Sequence, residues 1–319
     1  MVPWGYVAGL QIDPIEKKPF YHMLPGEDAL TFGMLGCDFH CDYCQNWITS
    51  QVLQDEAANV SERYIRETTP EKLIEQGERA SASLIASSYN EPLISSEWAY
   101  AIFRLAKQVD MKCVYVSNGH ATPEVLNYLL PVLDGFKIDL KSMRDEAYRQ
   151  LGGSLQAVLA TIKRAYELGL WVEVVTLVVP DFNDSIEELM SAARAIAAVS
   201  TEIPWHVTAF HRDYHMQDRD NTDYERLLRA AEIGEEAGLH YVYAGNLPGL
   251  MGDYEHTHCP VCNATLIERQ GFLVQGYKLQ KGGVCPACGA KIAGVWPPDP
   301  STVRISQTRN PFHRRPRLL

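Results

Sequence analysis

The sequence lacks several features that define whole classes of protein. No apolar run approaches the roughly 18 residues that a membrane span needs. The first ten residues lack a charged region followed by a long apolar region, so we expect no signal peptide. Basic residues are fewer than acidic ones, 29 against 40, and the net charge is -11. Such a chain is a poor default binder of nucleic acid or of anionic membranes.

Cysteine, by contrast, occurs eight times, and all but one of these residues fall into three tight local groups. Tight grouping is typical of metal ligands. Free thiolates persist best in a reducing compartment, so we expect a cytoplasmic protein. The remaining residue, Cys113, lies in an apolar run and is predicted to be a small buried hydrophobe.

Short apolar runs alternate with helical patterns through most of the chain. Thr69-Pro70 and Thr122-Pro123 are typical of helix starts, and Asp184 with Glu187 predicts a capping box. The alternation predicts an α/β fold, a partial (β/α)6-type, TIM-like barrel, with a doubly wound open sheet as the alternative. Runs rich in β-branched and aromatic residues predict these buried parallel strands: Leu30–Met34, Leu84–Ser87, Cys113–Ser117, Phe136–Leu140, Val172–Val179, Trp205–Phe210 and Tyr241–Tyr243.

Composition divides the chain into four predicted segments. Residues 1–29 form an N-terminal lead-in, and residues 30–250 form the core barrel. Residues 256–296 contain four cysteines and many glycines, which predicts a small metal-binding ribbon. Residues 297–319 are rich in proline and arginine, and we expect a flexible tail there.

Cys37, Cys41 and Cys44 form a C-x3-C-x2-C pattern directly after the first predicted strand, with no fourth cysteine nearby. Three thiolates can hold three irons of a 4Fe-4S cube and leave the fourth iron open to an exogenous ligand. S-adenosylmethionine (SAM) can supply that ligand through its amino and carboxylate groups. Active sites of barrels also lie at the carboxyl ends of strands. The alternatives are buried free thiols or a zinc site that includes His40.

The string GCDFHCDYCQNW at residues 36–47 resembles the radical SAM superfamily, and within it the branch of pyruvate formate-lyase activating enzymes. Strings at 13–19, 88–92, 209–211 and 243–246 are similar, more narrowly, to AmmeMemoRadiSam-system radical SAM enzymes. The resemblance covers nearly the whole chain except the tail. It implies a 4Fe-4S cluster, SAM, an electron donor of the ferredoxin or flavodoxin type, and a protein or small molecule as substrate.

The resemblance also implies cofactor contacts. Tyr43, the aromatic residue before the last cysteine, is one candidate. Relatives carry a Gly-Gly-Glu-Pro-like motif that contacts the SAM amino group. Residues 88–92 occupy the matching place here, although the double glycine is absent. Asn90 and Glu91 are therefore candidate contacts of the SAM amino group. A surface turn is the alternative. Asn118 would line the cofactor cleft, although Asn-Gly is also a turn signal.

Two further strand ends carry candidate residues. Asp139 and Lys141 follow the fourth strand and would contact SAM or the substrate, or else form a salt-bridged pair. His211 follows the strand Trp205–Phe210 directly and is the candidate catalytic acid–base residue, because a histidine at a barrel strand's end can face the cleft. A structural role is the alternative.

The remaining cysteines form CPxC-x22-CPxCG, which predicts a zinc-ribbon or rubredoxin-like module. In each Cys-x-x-Cys turn the chain bends so that two thiolates face one ion. We predict zinc as the metal, with iron or an auxiliary iron–sulfur cluster as alternatives. Such a site staples a segment too small to build its own core. The predicted ligands are Cys259, Cys262, Cys285 and Cys288.

The leading prediction is a radical SAM enzyme that cleaves SAM to a 5′-deoxyadenosyl radical, which abstracts hydrogen from an unidentified substrate. A glycyl-radical enzyme activase is the alternative. An iron–sulfur electron carrier would place a fourth cysteine nearby and would not need a barrel of this size. A zinc-ribbon nucleic-acid binder conflicts with the net charge of -11 and leaves the large α/β part unexplained.

Overall fold

The computed structural model describes residues 3–52, 54–58, 65–306 and 317–318. Its strands are β1 (Tyr6–Val7), β2 (Gly9–Pro14), β3 (Asp28–Gly33), β4 (Arg66–Glu67), β5 (Leu84–Ser87), β6 (Lys112–Ser117), β7 (Gly135–Asp139), β8 (Trp171–Val178), β9 (Trp205–Ala209), β10 (Val242–Gly245), β11 (Thr257–His258), β12 (Thr265–Gln270), β13 (Leu273–Tyr277) and β14 (Arg317–Leu318). Its helices are α1 (Trp47–Ser50), α2 (Pro70–Arg79), α3 (Ser96–Ala106), α4 (Pro123–Leu129), α5 (Asp145–Leu151), α6 (Leu155–Glu167), α7 (Ile186–Val199) and α8 (Tyr224–Glu236). None of the helices described combines the length and the apolar character that a membrane span requires.

The main sheet has nine strands in the order β10-β9-β8-β7-β6-β5-β3-β2-β14. The strands from β10 to β3 in this order run parallel to their neighbours. β2 pairs antiparallel with β3, and β14 pairs antiparallel with β2. Within the described residues the two edges, β10 and β14, do not pair, so the sheet does not close on itself.

The helices form one continuous layer around this sheet. Contacts join α2 to α3, α3 to α4, α4 to α6, α6 to α7 and α7 to α8, while α2, α3, α6 and α8 also pack on strands. A barrel carries its helices in one outer layer, whereas a doubly wound sheet carries them on both faces. The predicted partial barrel is therefore confirmed, and its seven parallel strands correspond to the seven strands that the sequence predicted.

Capping side chains fix where several helices begin. Thr69 and Thr122 each accept a hydrogen bond from the backbone N–H three residues later and are followed by proline, as predicted. The capping box predicted at Asp184 is wrong by one residue, because Ser185 is the N-cap of α7. The Asp184 carboxylate instead lies 3.1 Å from a guanidinium nitrogen of Arg226.

The lead-in and the start of the tail belong to the packed fold. β2 adds a strand to the main sheet. Val303 is buried, Arg304 Nη1 donates to Asp28 Oδ2 at 2.6 Å, and the Ser306 N–H donates to the Val274 carbonyl at 2.8 Å. Residues 297–306 therefore differ from the flexible tail that we expected, because they bury apolar surface and pair a charge. The rest of that segment, except β14, lies outside the described residues.

The C-terminal ribbon is the antiparallel sheet β11-β12-β13. Arg269 of β12 attaches it to the barrel and to the lead-in. Its Nη2 donates to the Tyr21 carbonyl at 2.7 Å, and its guanidinium lies 4.3 Å from the centre of the Tyr21 ring. Its Nη1 donates at 2.8 Å to the hydroxyl of Thr257, which also lies 2.8 Å from the hydroxyl of Tyr243 in β10. The ribbon is thus held by buried polar contacts as well as by its cysteines.

Candidate active site

Two cavities lie at the carboxyl ends of the parallel strands. The smaller one, the cysteine cavity, has a volume of about 100 Å³ and is lined by Cys37, Cys41 and Cys44. The larger one, the lysine cavity, has a volume of about 360 Å³. Its cationic lining residues are Lys17, Lys18, Lys137 and Lys141. Several residues line both cavities, so the two spaces are continuous: Cys41, Cys44, Asn46, Ser88, Tyr89, Val116, Asp139 and Lys141.

The loop that carries the first cysteines is held in place by protein contacts. Asn118 Nδ2 donates to Asp38 Oδ1 at 2.7 Å, and His120 Nδ1 lies 3.0 Å from Asp38 Oδ2. The buried ring of Phe39 occupies the space beside Gly153, where any Cβ would clash with it. Contacts with the barrel therefore fix the conformation of the loop. Such support preorganises a site for a cofactor.

The sulfur atoms of this loop have polar neighbours. The Phe39 N–H donates to Cys37 Sγ at 3.4 Å, and Cys44 Sγ lies 3.1 Å from the Ser50 hydroxyl. Burial raises the pKa of the Cys41 thiol to about 12. Metal binding to these thiols must therefore displace protons.

The spacing of the ligands separates a cluster from a single ion. In a tetrahedral zinc site with Zn–S bonds of 2.3 Å, sulfur atoms lie about 3.8 Å apart. Among the described residues, only the four C-terminal cysteines bring three or more ligand atoms within 4.8 Å of one another. Cys37, Cys41 and Cys44, with or without His40, are therefore too widely spaced for one zinc ion. Three thiols around a common cavity fit the three-cysteine ligation of a 4Fe-4S cube.

Asn90 and Glu91 line the cysteine cavity, and their side chains also fasten the strand ends together. Glu91 accepts hydrogen bonds from the Ser117 hydroxyl at 2.6 Å and from the Asn118 N–H at 2.7 Å. Asn90 Oδ1 accepts from the Met34 N–H at 3.0 Å. Burial raises the pKa of the Glu91 carboxyl to about 8. The surface turn that we weighed for this segment is excluded, because both side chains are buried.

Asp139 and Lys141 line both cavities, and they are also an ion pair. Lys141 Nζ lies 3.2 Å from Asp139 Oδ2, and Lys137 Nζ contacts the other carboxylate oxygen. Burial opposes the charge on Asp139, but the two lysines outweigh it and lower the pKa of that carboxyl. The salt-bridged pair that we weighed is observed. Contact of Asp139 and Lys141 with SAM or the substrate stays a prediction, at positions that line both cavities.

Tyr43 and His211 lie in different environments. Tyr43 is buried, lies 5.6 Å from Phe182 between ring centres, and lines the lysine cavity. His211 is exposed and is not among the described residues that line either cavity. The chain turns away after Phe210, whose N–H donates to the Thr222 hydroxyl at 3.0 Å. His211, two residues beyond the end of β9, thus lies outside the walls of the two cavities.

The C-terminal cysteines form a compact four-sulfur site. Cys259 Sγ lies 3.6 Å from Cys288 Sγ, and Cys262 Sγ lies 3.7 Å from Cys285 Sγ, close to the spacing of a tetrahedral ion. The two Cys-x-x-Cys turns share one backbone design. In each, the first cysteine N–H donates to the carbonyl five residues later, at 2.9 and 2.8 Å. The residue after the second cysteine, Asn263 or Gly289, has a left-handed φ of 58° or 78°.

Comparison with known proteins decides the family. A family model described as the Radical SAM superfamily matches residues 32–193. The chain belongs to the radical SAM superfamily. This radical SAM protein is 39% identical over 293 residues to the uncharacterized protein MJ0808 of Methanocaldococcus jannaschii. The match covers 91% of this chain and 85% of that protein.

Two further similarities are to an activating enzyme and to a solved structure. The isethionate sulfite-lyase activating enzyme of Nitratidesulfovibrio vulgaris is 28% identical over 142 residues, covering 42% of this chain and 45% of that enzyme. Streptococcus suis SuiB bound to precursor peptide SuiA has a TM-score of 0.55 at 12% identity, covering 75% of this chain and 53% of that chain. At this identity the SuiB likeness shows the shared fold alone.

The superfamily match includes the cysteine cavity but neither the lead-in nor the ribbon. Sequence reasoning missed four residues of the lysine cavity: Lys17, Lys18, Tyr89 and Lys137. A signal for three of them was present, because Lys17 and Lys18 lie in the string at 13–19 and Tyr89 lies in the string at 88–92, both of which resemble related enzymes. Lys137 carried no such signal, since it lies within the apolar strand β7.

Proposed function

We propose that this radical SAM protein is an enzyme that binds a 4Fe-4S cluster through Cys37, Cys41 and Cys44 and cleaves SAM reductively. With both groups bound, one electron from a donor would split the SAM sulfonium to a 5′-deoxyadenosyl radical, which removes a hydrogen atom from the substrate. One observation carries the proposal: these thiols surround one cavity at the carboxyl ends of parallel strands, and no fourth cysteine is among the described residues that line it.

The chain's own residues would orient SAM in this cavity. A carboxylate offers about four acceptor positions. Glu91 uses three of them, for Ser117, Asn118 and Leu93, so one position remains for the SAM ammonium group. Lys141 lines the cysteine cavity together with Cys41, which makes its ammonium group the candidate partner of the SAM carboxylate. Tyr43 would exclude water from the adjoining lysine cavity, because its ring is buried there.

The substrate in the leading proposal is a protein. Support comes from the activating-enzyme relative, whose name says that it activates another enzyme. Activation of a glycyl-radical enzyme is therefore the second candidate function. An electron donor of the ferredoxin or flavodoxin type, membership of the AmmeMemoRadiSam group, a cytoplasmic location and catalysis by His211 stay predictions. At the C-terminal cysteines we propose zinc, which the sulfur spacing supports to the same degree as a single iron.

The test is anaerobic reconstitution with iron and sulfide, followed by addition of dithionite and SAM and detection of 5′-deoxyadenosine by chromatography. Cys41→Ala should abolish both the cluster absorbance and the product. Cys113→Ala is the matched control, because Cys113 is equally buried but lines neither cavity among the described residues. Wild-type protein with a full complement of iron and no 5′-deoxyadenosine would contradict the proposal.

A further inference from the structure

The lysine cavity holds more positive than negative side chains. Four lysines line it, and two carboxylates form ion pairs with them. Asp139 pairs with Lys137 and Lys141. Asp13 pairs with Lys17 at 2.9 Å and with Lys18 at 3.5 Å. Two positive charges therefore remain without a matching carboxylate in this set.

The two lysine groups have different positions. Asp139 and Lys141 line the cysteine cavity as well, beside the proposed cluster and SAM. Lys17 and Lys18 line only the larger cavity. They come from the lead-in, outside the part of the chain that matches the superfamily. The lead-in pair therefore lines the part of the joined space that lies outside the cysteine cavity.

Tyr89 connects this pair to the barrel in a strained conformation. Its φ is 71°, a left-handed value that is rare for a bulky aromatic residue. Gly9 and Gly33 make room for it: a Cβ on Gly9 would lie 2.8 Å from the Tyr89 ring, and one on Gly33 would clash with the Ser88 carbonyl. Strained backbone of this kind is concentrated at functional sites.

The strained tyrosine places its ring and hydroxyl on Lys18. Lys18 Nζ lies 3.1 Å from the Tyr89 hydroxyl and 4.6 Å from the ring centre. The Lys18 side chain is only 8% exposed, so its charge has lost most of its water. Burying a charge is costly unless it is paired, and one carboxylate serves two ammonium groups here. Each ammonium group has three donors, and Lys18 uses two of them on the described residues.

We infer that Lys17 and Lys18 form an anion-binding subsite that takes a carboxylate or phosphate group of the substrate. The Tyr89 hydroxyl accepts from Lys18 Nζ and donates to Gln11 Oε1 at 3.3 Å, so it positions Lys18 and does not bind the anion itself. The inference rests on the proposed function, since it assigns the larger cavity to the substrate of that reaction. It narrows the substrate to a molecule that carries such an anionic group near the hydrogen to be removed.

The test measures anion binding by the metal-loaded protein with saturating SAM and no reductant. Inorganic phosphate and succinate are titrated separately by calorimetry. Wild type should bind at least one of them, and Lys18→Gln should weaken that binding by about tenfold or more, because it removes one partner of a buried charge pair. Lys18→Arg keeps the charge and should retain most of the affinity. Lys163→Gln, on an exposed face of α6, is the matched charge control and should change nothing.

Each outcome decides the inference. Binding of phosphate alone, or of succinate alone, supports the subsite and identifies its preferred anion. Equal affinity in wild type and Lys18→Gln, no binding of either probe, or displacement of SAM by the probe would overturn it. Tyr89→Phe, which removes only the hydroxyl, should weaken binding less than Lys18→Gln and guards against misfolding of that variant. Failure of wild type to form 5′-deoxyadenosine would instead count against the proposed function. The anion-binding measurement uses no reductant, so its result would still test the subsite.

Discussion

Glu173 of β8 is a carboxylate buried without exposure to solvent, and four donors surround it. Its Oε2 accepts from the Tyr21 N–H at 3.0 Å and lies 2.6 Å from His206 Nε2. Its Oε1 accepts from the His22 N–H at 2.9 Å and from Trp171 Nε1 at 2.9 Å. The carboxylate thus anchors the lead-in, which carries Lys17 and Lys18, to the bottom of the barrel.

Glu173→Gln keeps the shape of the side chain but replaces one accepting oxygen with an amide nitrogen, which cannot accept a hydrogen bond. The new amide nitrogen must face one of the two donor pairs. In the better orientation it faces Tyr21 and His206; His206 can then accept from the amide, but the Tyr21 N–H loses its acceptor. A buried unsatisfied donor costs about 1–3 kcal/mol. Burial lowers the pKa of His206, so at pH 7.5 the Glu173 carboxylate accepts a hydrogen bond from a neutral imidazole and no pair of charges is broken. We therefore expect the free energy of unfolding to fall by about 1–3 kcal/mol.

The measurement is urea unfolding of the metal-loaded protein at pH 7.5, followed by tryptophan fluorescence and circular dichroism. Glu202→Gln is the control, because Glu202 also pairs with a histidine, His240, but on the surface. That variant should lose under about 1 kcal/mol. A loss of the same small size in Glu173→Gln would refute the reasoning.

The pH dependence of this anchor has a definite sign. Burial opposes the charge on Glu173, but the hydrogen bond with His206 outweighs it, and the net effect lowers the pKa of the carboxyl below 4.5. Glu173 therefore contributes stability above about pH 4.5, and that contribution is lost as the pH falls through the lowered pKa. The acid-side loss should be smaller in Glu173→Gln, which has no carboxyl group to protonate.

Three further predictions concern other parts of the molecule. Cys262→Ser should remove the metal of the ribbon, measured by elemental analysis, and leave the absorbance of the 4Fe-4S cluster intact; loss of both would contradict two independent centres. Gly33→Ala should lower the free energy of unfolding by about 1–3 kcal/mol, because its Cβ would clash with the Ser88 carbonyl, and an unchanged urea midpoint would contradict this packing. Burial lowers the pKa of His22 to about 4, so stability should fall by up to about 3 kcal/mol as the pH drops from 6.5 towards 4. His22→Asn, which cannot titrate there, should show a flatter profile, and identical profiles would argue against a neutral His22.

Much of the fold was predictable because parallel strands buried on both faces leave a simple trace in the sequence. Each of the seven predicted strands corresponds to a strand of the barrel, with ends that differ by at most a few residues. The antiparallel strand β2 was missed, because its polar Gln11 and Asp13 interrupt the apolar pattern. Its place in the sheet depends on pairing with β3, which no local pattern specifies.

The cysteines were predictable for a chemical reason. Cys37, Cys41 and Cys44 lie within eight residues, and the C-terminal cysteines form two pairs of four residues each, so local spacing already indicates which thiols can share a metal or cluster. The flexible tail and the site at His211 were expectations of a different kind. They depended on contacts in space rather than on neighbours in the sequence. Val303 is buried by distant residues, and the chain before His211 is held by the hydrogen bond from Phe210 to Thr222.

By itself the sequence determined the strand and helix order, the radical SAM character and the two cysteine sites, since each depends on residues close together in the chain. Only the tertiary structure decided that Lys18 contacts Tyr89, that Lys17 lines the same cavity, and that Glu173 holds their segment there. These contacts join residues about 70 and 150 positions apart. Their energy comes from burying charged groups together, and burial is a property of the packed molecule that no single segment possesses.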